Sequence, residues 1–124
     1  MLKLYGYKKC SSCRKAENFF KKVNVDYTFI DITENPPSPE ELADIAKLAN
    51  LPLKKLFNAS GVQYRELNIK AQLPTLTEMQ ILALLASNGR LIKRPLVTDG
   101  KRATVGFKEA LFIAAWHPSS FNQN

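Results

Sequence analysis

The spacing of hydrophobic residues changes several times along the 124-residue chain, and each change predicts a different element. Residues 2–6 form a short apolar run that is typical of a strand. Residues 25–32 are rich in β-branched and aromatic side chains, which predicts a second strand. Between them, apolar residues recur at helical spacing, and Ser11 or Ser12 can cap the helix that they predict. These apolar residues are Ala16, Phe19, Phe20 and Val23.

A strong helix start follows at residues 38–41. Their sequence, Ser-Pro-Glu-Glu, provides a capping serine, a proline in the first helical position and a glutamate three residues after the cap. The apolar side of this helix consists of Leu42, Ile45, Ala46 and Ala49. In residues 51–70, short apolar runs are broken by Pro52 and Gly61, which predicts brief helices joined by a turn around residues 58–61.

The last third of the chain begins with a second capping pattern, Thr-Leu-Thr-Glu at residues 75–78. It predicts a helix that ends at the Asn-Gly pair of residues 88–89. Two short β-rich segments on either side of an Asp-Gly turn, residues 96–98 and 103–106, predict a hairpin. A final helix is predicted from about residue 108 to residue 116.

This order of elements predicts an α/β protein with a thioredoxin-like fold and a central helical insertion. We expect a single domain over residues 1–118, since one core typically contains about 100 to 150 residues, and a flexible tail over residues 119–124. In this fold class a cis proline commonly precedes the strand after the insertion, across from the loop that follows the first strand. Pro95 is the proline at that point, so we predict that the Arg94–Pro95 bond is cis.

Composition and charge exclude several classes of protein. Hydrophobic residues make up 45% of the chain and charged residues 23%, which suffices for a packed core without disulfides. The net charge is +7, but the basic residues are scattered, so we expect a solvated basic surface rather than direct nucleic-acid binding. No apolar stretch approaches the roughly 18 residues of a membrane span, and the N-terminus contains no apolar signal core. We therefore expect no membrane association and a cytoplasmic protein.

Candidate chemistry is concentrated in the Cys-Ser-Ser-Cys sequence of residues 10–13, which contains the two cysteines of the chain. It lies where the first predicted strand ends and the first predicted helix begins. The unpaired N–H groups and partial positive charge of a helix N-terminus favour ionisation of a thiol. We interpret Cys10 as the nucleophile and Cys13, one turn further along, as the thiol that resolves a disulfide formed on Cys10.

Polar and basic neighbours are predicted to support this pair. Ser11 and Ser12 lie between the two thiols, and Arg14 follows them. Arg14, Lys8 and Lys9 add positive charge close to Cys10, which favours its thiolate.

Arg94 is the second candidate for a functional side chain. Next to a cis Pro95 it would face the cysteines, where a guanidinium can hold an oxyanion or stabilise a thiolate. A surface salt bridge is the alternative role for this arginine.

A metal site and a pair of structural thiols are the two other interpretations of the cysteine pair. A closed zinc site needs four ligands, and beyond the cysteines the chain offers only one histidine, His117, so we expect no metal. Two buried structural thiols remain the simpler alternative to redox chemistry.

Four segments carry a resemblance to a known family. They are Leu-Tyr-Gly at residues 4–6, Cys-Ser-Ser-Cys-Arg-Lys-Ala at 10–16, Lys-Arg-Pro-Leu-Val at 93–97 and Val-Gly-Phe-Lys-Glu at 105–109. Together they resemble the ArsC/Spx family of thioredoxin-fold proteins over residues 1 to about 116. The resemblance implies the same fold that the order of elements predicts.

Within that family, the sequence between residues 57 and 68 is most similar to bacterial arsenate-reductase-related proteins. In glutaredoxin-coupled arsenate reductases, a cysteine attacks arsenate, three arginines hold the oxyanion, and glutathione or glutaredoxin completes the reduction. The resemblance implies these roles for Cys10 and Arg94, whereas Asn58 and Gly106 stand where the other two arginines are expected. The arginines available as replacements are Arg65, Arg90 and Arg102.

The resemblance therefore implies a thiol-dependent oxidoreductase without a metal or organic cofactor. Its electron donor would be glutathione or a protein of the glutaredoxin or thioredoxin type.

A second function follows from the same resemblance. Spx regulators share the two-cysteine switch and the Arg-Lys pair after it, and they bind the C-terminal domain of the RNA polymerase α subunit. The present chain has Pro52 where we align their polymerase-contacting glycine, and Ser60 where they have an arginine. A redox-sensing regulator is therefore the alternative to the oxidoreductase.

Overall fold

The structure, a computed structural model, describes residues 1–119, and residues 120–124 of the predicted tail lie outside them. Within the described part of the chain, four strands and six helices follow one another as predicted, with short 3-10 turns between some of them. The strands are β1 (Lys3–Gly6), β2 (Thr28–Asp31), β3 (Leu96–Thr98) and β4 (Ala103–Val105). The helices are α1 (Ser11–Val23), α2 (Pro39–Leu48), α3 (Val62–Glu66), α4 (Ile69–Gln72), α5 (Glu78–Ser87) and α6 (Glu109–Trp116).

The four strands form one mixed sheet in the order β2-β1-β3-β4. β1 is parallel to β2 and antiparallel to β3, and β3 and β4 form the predicted antiparallel hairpin. Tyr5 near the end of β1 lies opposite Leu96 at the start of β3. The loop after β1 and the segment before β3 therefore meet at one edge of the sheet. The predicted α/β class is confirmed, and the Arg94–Pro95 bond is cis, as predicted.

Each face of the sheet is covered by helices because side chains alternate along the strands. Leu4 and Val97 face α1 and α6, where an aromatic cluster fills the core. This cluster contains Phe20, Phe112 and Trp116, all fully buried. Tyr5 and Leu96 face the opposite way, toward a second core built with α2 and α5. No helix in the described part of the chain has the length and apolar character that a membrane span needs.

Backbone hydrogen bonds connect residues 56–58 of the central helical insertion to the segment before β3. Phe57 forms an isolated antiparallel bridge with Ile92. Around it, Asn58 N donates to Leu91 O at 2.8 Å, and Lys93 N donates to Leu56 O at 2.8 Å. The backbone immediately before Arg94 is thus held by the insertion.

One predicted helix start is wrong by two residues. Helix α5 is capped by Thr77 in a capping box with Gln80, whereas the sequence pattern placed the box at residues 75–78. The Thr75 hydroxyl is already used, because it donates to the carbonyl of Gln72 at 2.7 Å within the preceding turn. The predicted cap of α2 is confirmed, since Ser38 accepts a hydrogen bond from Glu41 N.

Helix α2 is also tied to the sheet through its Glu41 carboxylate. Lys3 Nζ lies 2.7 Å from Glu41 Oε2, and the Tyr5 hydroxyl donates to Glu41 Oε1. Partial burial opposes ionisation of this carboxyl, but the hydrogen bonds from Lys3 and Tyr5 outweigh it and lower the pKa of Glu41. Burial first, and then Glu41, raise the pKa of Tyr5.

We predict that Glu41→Gln lowers the free energy of unfolding by about 1 kcal/mol at neutral pH, because Lys3 loses its ionic partner. Since the folded-state pKa of Glu41 is depressed, its contribution is complete above the unfolded-state pKa and is lost as pH falls through the folded-state value. Urea unfolding at neutral and acidic pH measures this difference. The exposed neighbour in the first turn of α2, changed in Glu40→Gln, is the matched control. Equal effects of the two variants would contradict the assignment.

Candidate active site at the cysteine pair

Cys10 lies between β1 and α1 and caps the helix with its own sulfur. Its backbone is extended, with φ −77° and ψ 124°, and Cys10 Sγ accepts a hydrogen bond from Cys13 N at 3.4 Å. The expectation that Ser11 or Ser12 caps α1 is therefore wrong: both are helical residues after the cap. A thiolate is a better acceptor for this N–H than a thiol, so the capping geometry favours ionised Cys10.

Cys13 is fully buried against the end of β1, and both cysteines are free thiols. A Cβ atom at Gly6 would lie 2.6 Å from Cys13 Sγ, closer than any real contact of that kind. Only a glycine lets the first turn of α1 pack this closely on the strand. Cys10 is partly exposed, one helical turn earlier. The fold thus presents one thiol of the pair and buries the other.

The two thiols have pKa values shifted in opposite directions. Burial alone would raise the pKa of Cys10, but hydrogen bonds from the Cys13 side chain and backbone, together with the Arg94 guanidinium, outweigh it. The pKa of Cys10 therefore lies below its ordinary value. Burial raises the pKa of Cys13, and the adjacent Cys10 raises it further. When the pair loses a proton, Cys10 is therefore the thiol that becomes the thiolate.

Arg94 approaches Cys10 from the segment before β3, as predicted. Its guanidinium carbon lies 4.2 Å from the centroid of the Tyr7 ring, and its Nη1 donates to Ile92 O at 3.4 Å. Its Nε is buried without a hydrogen-bond partner. Among residues 1–119 no carboxylate forms an ion pair with this guanidinium, so the surface salt bridge considered above is not present. Packing on the Tyr7 ring therefore positions the Arg94 guanidinium at the site.

Lys8 makes an internal contact that the sequence did not reveal. Its Nζ lies 3.1 Å from Glu17 Oε1 and 4.1 Å from the centroid of the Phe29 ring. Glu17 is 7% exposed and also accepts a hydrogen bond from the Tyr27 hydroxyl at 2.7 Å. Burial, and then Glu17, raise the pKa of Tyr27 to about 12. Lys8 therefore anchors the loop before Cys10 to α1.

The other basic side chains that are candidates for the site differ in their exposure and in their contacts. Lys9 and Arg14 are exposed, so their charge acts on Cys10 through solvent. Arg65 is exposed in the last turn of α3, and Arg102 is held by Ala115 O at 2.9 Å beside α6. Arg90 is the one of the three candidate replacements that lines a cavity together with Arg94.

That cavity, of about 630 Å³, is here called the Arg90 cleft. It is bordered by Tyr7, Lys9, Asn58, Arg90 and Arg94. Asp31 also lines it, so its charge is mixed. Within residues 1–119, no three potential metal-ligating side chains cluster together.

Comparisons with known proteins agree with this geometry. The sequence model described as the ArsC family matches residues 5–114. An uncharacterised Bacillus subtilis protein, YusI, is 50% identical over 93% of this chain and 98% of its own length. The global transcriptional regulator Spx of Listeria innocua is 28% identical over 88% of this chain and 82% of its own. The crystal structure of an ArsC-family-related protein from Bacteroides fragilis superposes with a TM-score of 0.85, at 43% identity, covering 90% of this chain and 93% of that one.

We predict that Arg94→Gln raises the pH midpoint for alkylation of Cys10, because the guanidinium that stabilises the thiolate is lost. In the unchanged protein that midpoint is expected below the ordinary value of a free cysteine. Iodoacetamide rates between pH 5 and 10, resolved by mass mapping of each cysteine, measure it. Arg90→Gln removes the same charge from the other side of the Arg90 cleft and serves as the control. A midpoint that moves equally in both variants, or in neither, would show that Arg94 has no specific role.

Proposed function

The chain belongs to the ArsC family, and from that premise we propose that it is a thiol–disulfide oxidoreductase. In this proposal Cys10 is the nucleophile, Cys13 is the resolving thiol, and Arg94 stabilises the Cys10 thiolate. One observation supports the proposal above all: a partly exposed thiol with a lowered pKa caps a helix, three residues before a buried thiol with a raised pKa. Two inert structural thiols would need neither the exposure of Cys10 nor the guanidinium beside it.

The proposed reaction begins when the Cys10 thiolate attacks one sulfur of an oxidised substrate. A Cys10–substrate disulfide forms, the substrate disulfide breaks, and the departing thiolate takes the bonding electron pair. Cys13 then loses its proton and attacks Cys10 Sγ, which closes a Cys10–Cys13 disulfide and releases the second thiol. Glutathione, or a protein of the glutaredoxin or thioredoxin type, reduces that disulfide and returns both thiols.

The electrostatics support this order of steps. While Cys10 is a thiolate, its charge raises the pKa of Cys13 and Arg94 lowers it. Once Cys10 is in a mixed disulfide, the opposing charge is gone and the effect of Arg94 remains. Cys13 therefore becomes a better nucleophile only after the first step has occurred.

A disulfide substrate suits the site better than arsenate. An oxyanion held away from water needs several charge-assisted donors, each worth about 1.5 to 3 kcal/mol. Arg94 is the guanidinium beside Cys10. The Arg90 cleft adds Lys8, Lys9 and Arg90, but these are exposed to water and share the cleft with the opposing charge of Asp31. A neutral disulfide sulfur needs no such set of donors. The reaction requires no metal or organic cofactor, and we assign it to the reducing cytoplasm, where free thiols persist.

We predict that Cys10→Ser abolishes reduction of a small disulfide, whereas Cys13→Ser stops the reaction at the mixed disulfide. The reason is that Cys10 is the partly exposed thiol with the lowered pKa, and Cys13 is the thiol placed to resolve the intermediate. Coupled glutathione turnover measures activity, and intact mass measures the trapped adduct. A Cys10→Ser protein as active as the unchanged one would remove the catalytic proposal. The same holds if Cys13→Ser accumulates no adduct.

A redox-sensing regulator is the second candidate, and one contact favours it. Cys10 Sγ caps α1, so forming a disulfide with Cys13 turns the acceptor of the Cys13 N–H into a neutral disulfide sulfur, a weaker acceptor, which in this alternative rearranges the first helical turn. The relatives that are named global transcriptional regulators match 88% of this chain. In this alternative the rearranged turn alters binding to a partner, for which the C-terminal domain of the RNA polymerase α subunit is the candidate.

For this alternative, we expect that the C-terminal domain of the polymerase α subunit, once immobilised, retains the protein in one redox state and not in the other. A pull-down with dithiothreitol and with diamide measures retention, and Cys10→Ser, which cannot form the internal disulfide, is the control. Absence of binding in both states, or binding that ignores the redox state, would leave the oxidoreductase as the better account.

A further inference from the structure

Helix α6 lies on the surface although almost every residue in it is apolar. Its sequence is Glu-Ala-Leu-Phe-Ile-Ala-Ala-Trp, so Glu109 carries the one charged side chain of the helix. Phe112 and Trp116 are fully buried in the aromatic cluster. Ile113, by contrast, is 48% exposed. Because a helix that is apolar on all sides is normally enclosed, this exposure points to a partner on the side of α6 where Ile113 lies.

A groove of about 570 Å³ lies between α1 and that side of α6, and we call it the α1–α6 groove. Its apolar residues are Phe19, Val23, Phe107 and Ile113. Phe19 and Phe107 both pack edge-on against the buried Phe112, with ring centroids 5.5 and 4.7 Å from it. The core therefore holds the aromatic floor of the groove in place, so that an apolar side chain can be received without rearrangement.

The α1 side of the groove is basic. Lys15 and Lys22 line it, two helical turns and about 10 Å apart along the helix axis. Among residues 1–119, no carboxylate lies within ion-pair distance of either lysine. The exposed neighbours Arg14 and Lys21 are basic as well, whereas Glu17, the acidic residue of α1, is buried. This side of the groove therefore attracts negative charge.

These features together specify an occupant. We propose that the α1–α6 groove is a docking surface for an acidic amphipathic helix of another protein. Apolar side chains on one side of that helix lie on the aromatic floor, as in other helix-in-groove complexes. Two of its carboxylates, spaced seven positions apart, face Lys15 and Lys22, which have the same spacing. Glu109 lines the groove from α6, so the negative charge of the partner is confined to the side that faces α1.

A second copy of this chain suits the groove less well. The net charge of the chain is +7, and two copies joined symmetrically through this surface would bring the basic side chains of α1 close to one another. A lipid surface also suits it less well, since such a surface is flat and the apolar residues lie in a concave groove, where Phe19 and Phe107 are only partly exposed. A protein segment that enters the groove fits both observations.

The α1–α6 groove is separate from the cysteine pair. Cys10, Cys13 and Arg94 do not line it, and Lys15 lies beyond the first turn of α1. A helix docked here would leave Cys10 accessible. The inference therefore does not depend on the proposed thiol chemistry.

The test uses the full chain and a fluorescently labelled synthetic helix of about 16 residues, with leucines on one side and two glutamates spaced seven positions apart beside them. Fluorescence anisotropy is expected to show saturable binding. Ile113→Asp, which places a charge among the apolar contacts, is expected to weaken it at least about tenfold. Lys22→Glu, which opposes one glutamate of the probe, is expected to weaken it about fivefold. Both side chains are exposed, so both variants are expected to fold.

Matched controls make the same changes elsewhere on the surface. Met79→Asp alters an apolar residue of α5 that is 81% exposed, and Lys47→Glu reverses a charge in the last turn of α2. Both are expected to bind the probe as the unchanged protein does.

Exchange of charge gives a readout that a general loss of structure would not produce. Two further probes each have lysine in place of one of the glutamates. One of them is expected to bind Lys22→Glu more tightly than it binds the unchanged protein. Iodoacetamide is expected to alkylate Cys10 at the same rate with and without the original probe, and a slower rate would overturn the assignment by placing the probe on the cysteine pair.

Four other outcomes also overturn the proposal. The first is no binding at a probe concentration of about 1 mM. The second is equal binding of polyglutamate, or binding that Ile113→Asp leaves unchanged, because charge alone would then attract the probe. The third is sedimentation with phosphatidylglycerol vesicles that is lost in Ile113→Asp, which would assign the groove to a lipid surface. The fourth is a dimer in analytical ultracentrifugation that the same change abolishes, which would assign it to a second copy.

Discussion

The arrangement of the site depends on one close approach, that of Cys13 Sγ to the backbone of Gly6. A side chain at Gly6 would overlap the sulfur, so the end of β1 must be bare for α1 to begin where it does. With α1 seated in this way, Cys13 is enclosed and Cys10, one turn earlier, lies at the helix start with its sulfur facing the Cys13 N–H. The Lys8–Glu17 contact holds the loop between strand and helix in the same position. Exposure, capping and burial of the two thiols all follow from this single packing constraint.

The same constraint separates two chemically identical groups. Each thiol loses solvation, but the hydrogen bonds that Cys10 gains from Cys13 and Arg94 outweigh that loss. Burial is the main reason that the pKa of Cys13 is raised; the adjacent Cys10 raises it further, and the backbone of Tyr7 lowers it only in part. The asymmetry needs no residue specialised for proton transfer, because position relative to one helix terminus and one guanidinium is sufficient.

Local signals in the sequence predicted the strands, the hairpin and the cap of α2, since each depends on residues close in the chain. The cis proline was predicted from the fold class that the order of elements indicates. The errors arose where a more distant or less usual partner makes the hydrogen bond. A serine is the common helix cap, yet Cys10 caps α1, and Thr75 is engaged by the preceding turn. Glu17 was missed because its partners, Lys8 and Tyr27, lie nine and ten residues away on other elements. The sequence signal that could have pointed to Glu17 is an acidic residue on the otherwise apolar side of the predicted helix.

Gly106 shows most clearly why part of the site could be identified only from the three-dimensional structure. In the sequence, a glycine at this position is only the absence of an expected arginine. In the fold, the missing side chain leaves the space that the end of the Lys93 side chain occupies, since a Cβ atom at Gly106 would lie 3.1 Å from Lys93 Cε. In the proposed reaction, Arg94 faces the Cys10 thiolate before exchange, and that negative charge disappears when the mixed disulfide forms. The effect of Arg94, which lowers the pKa of Cys13, then remains without the opposing charge of Cys10.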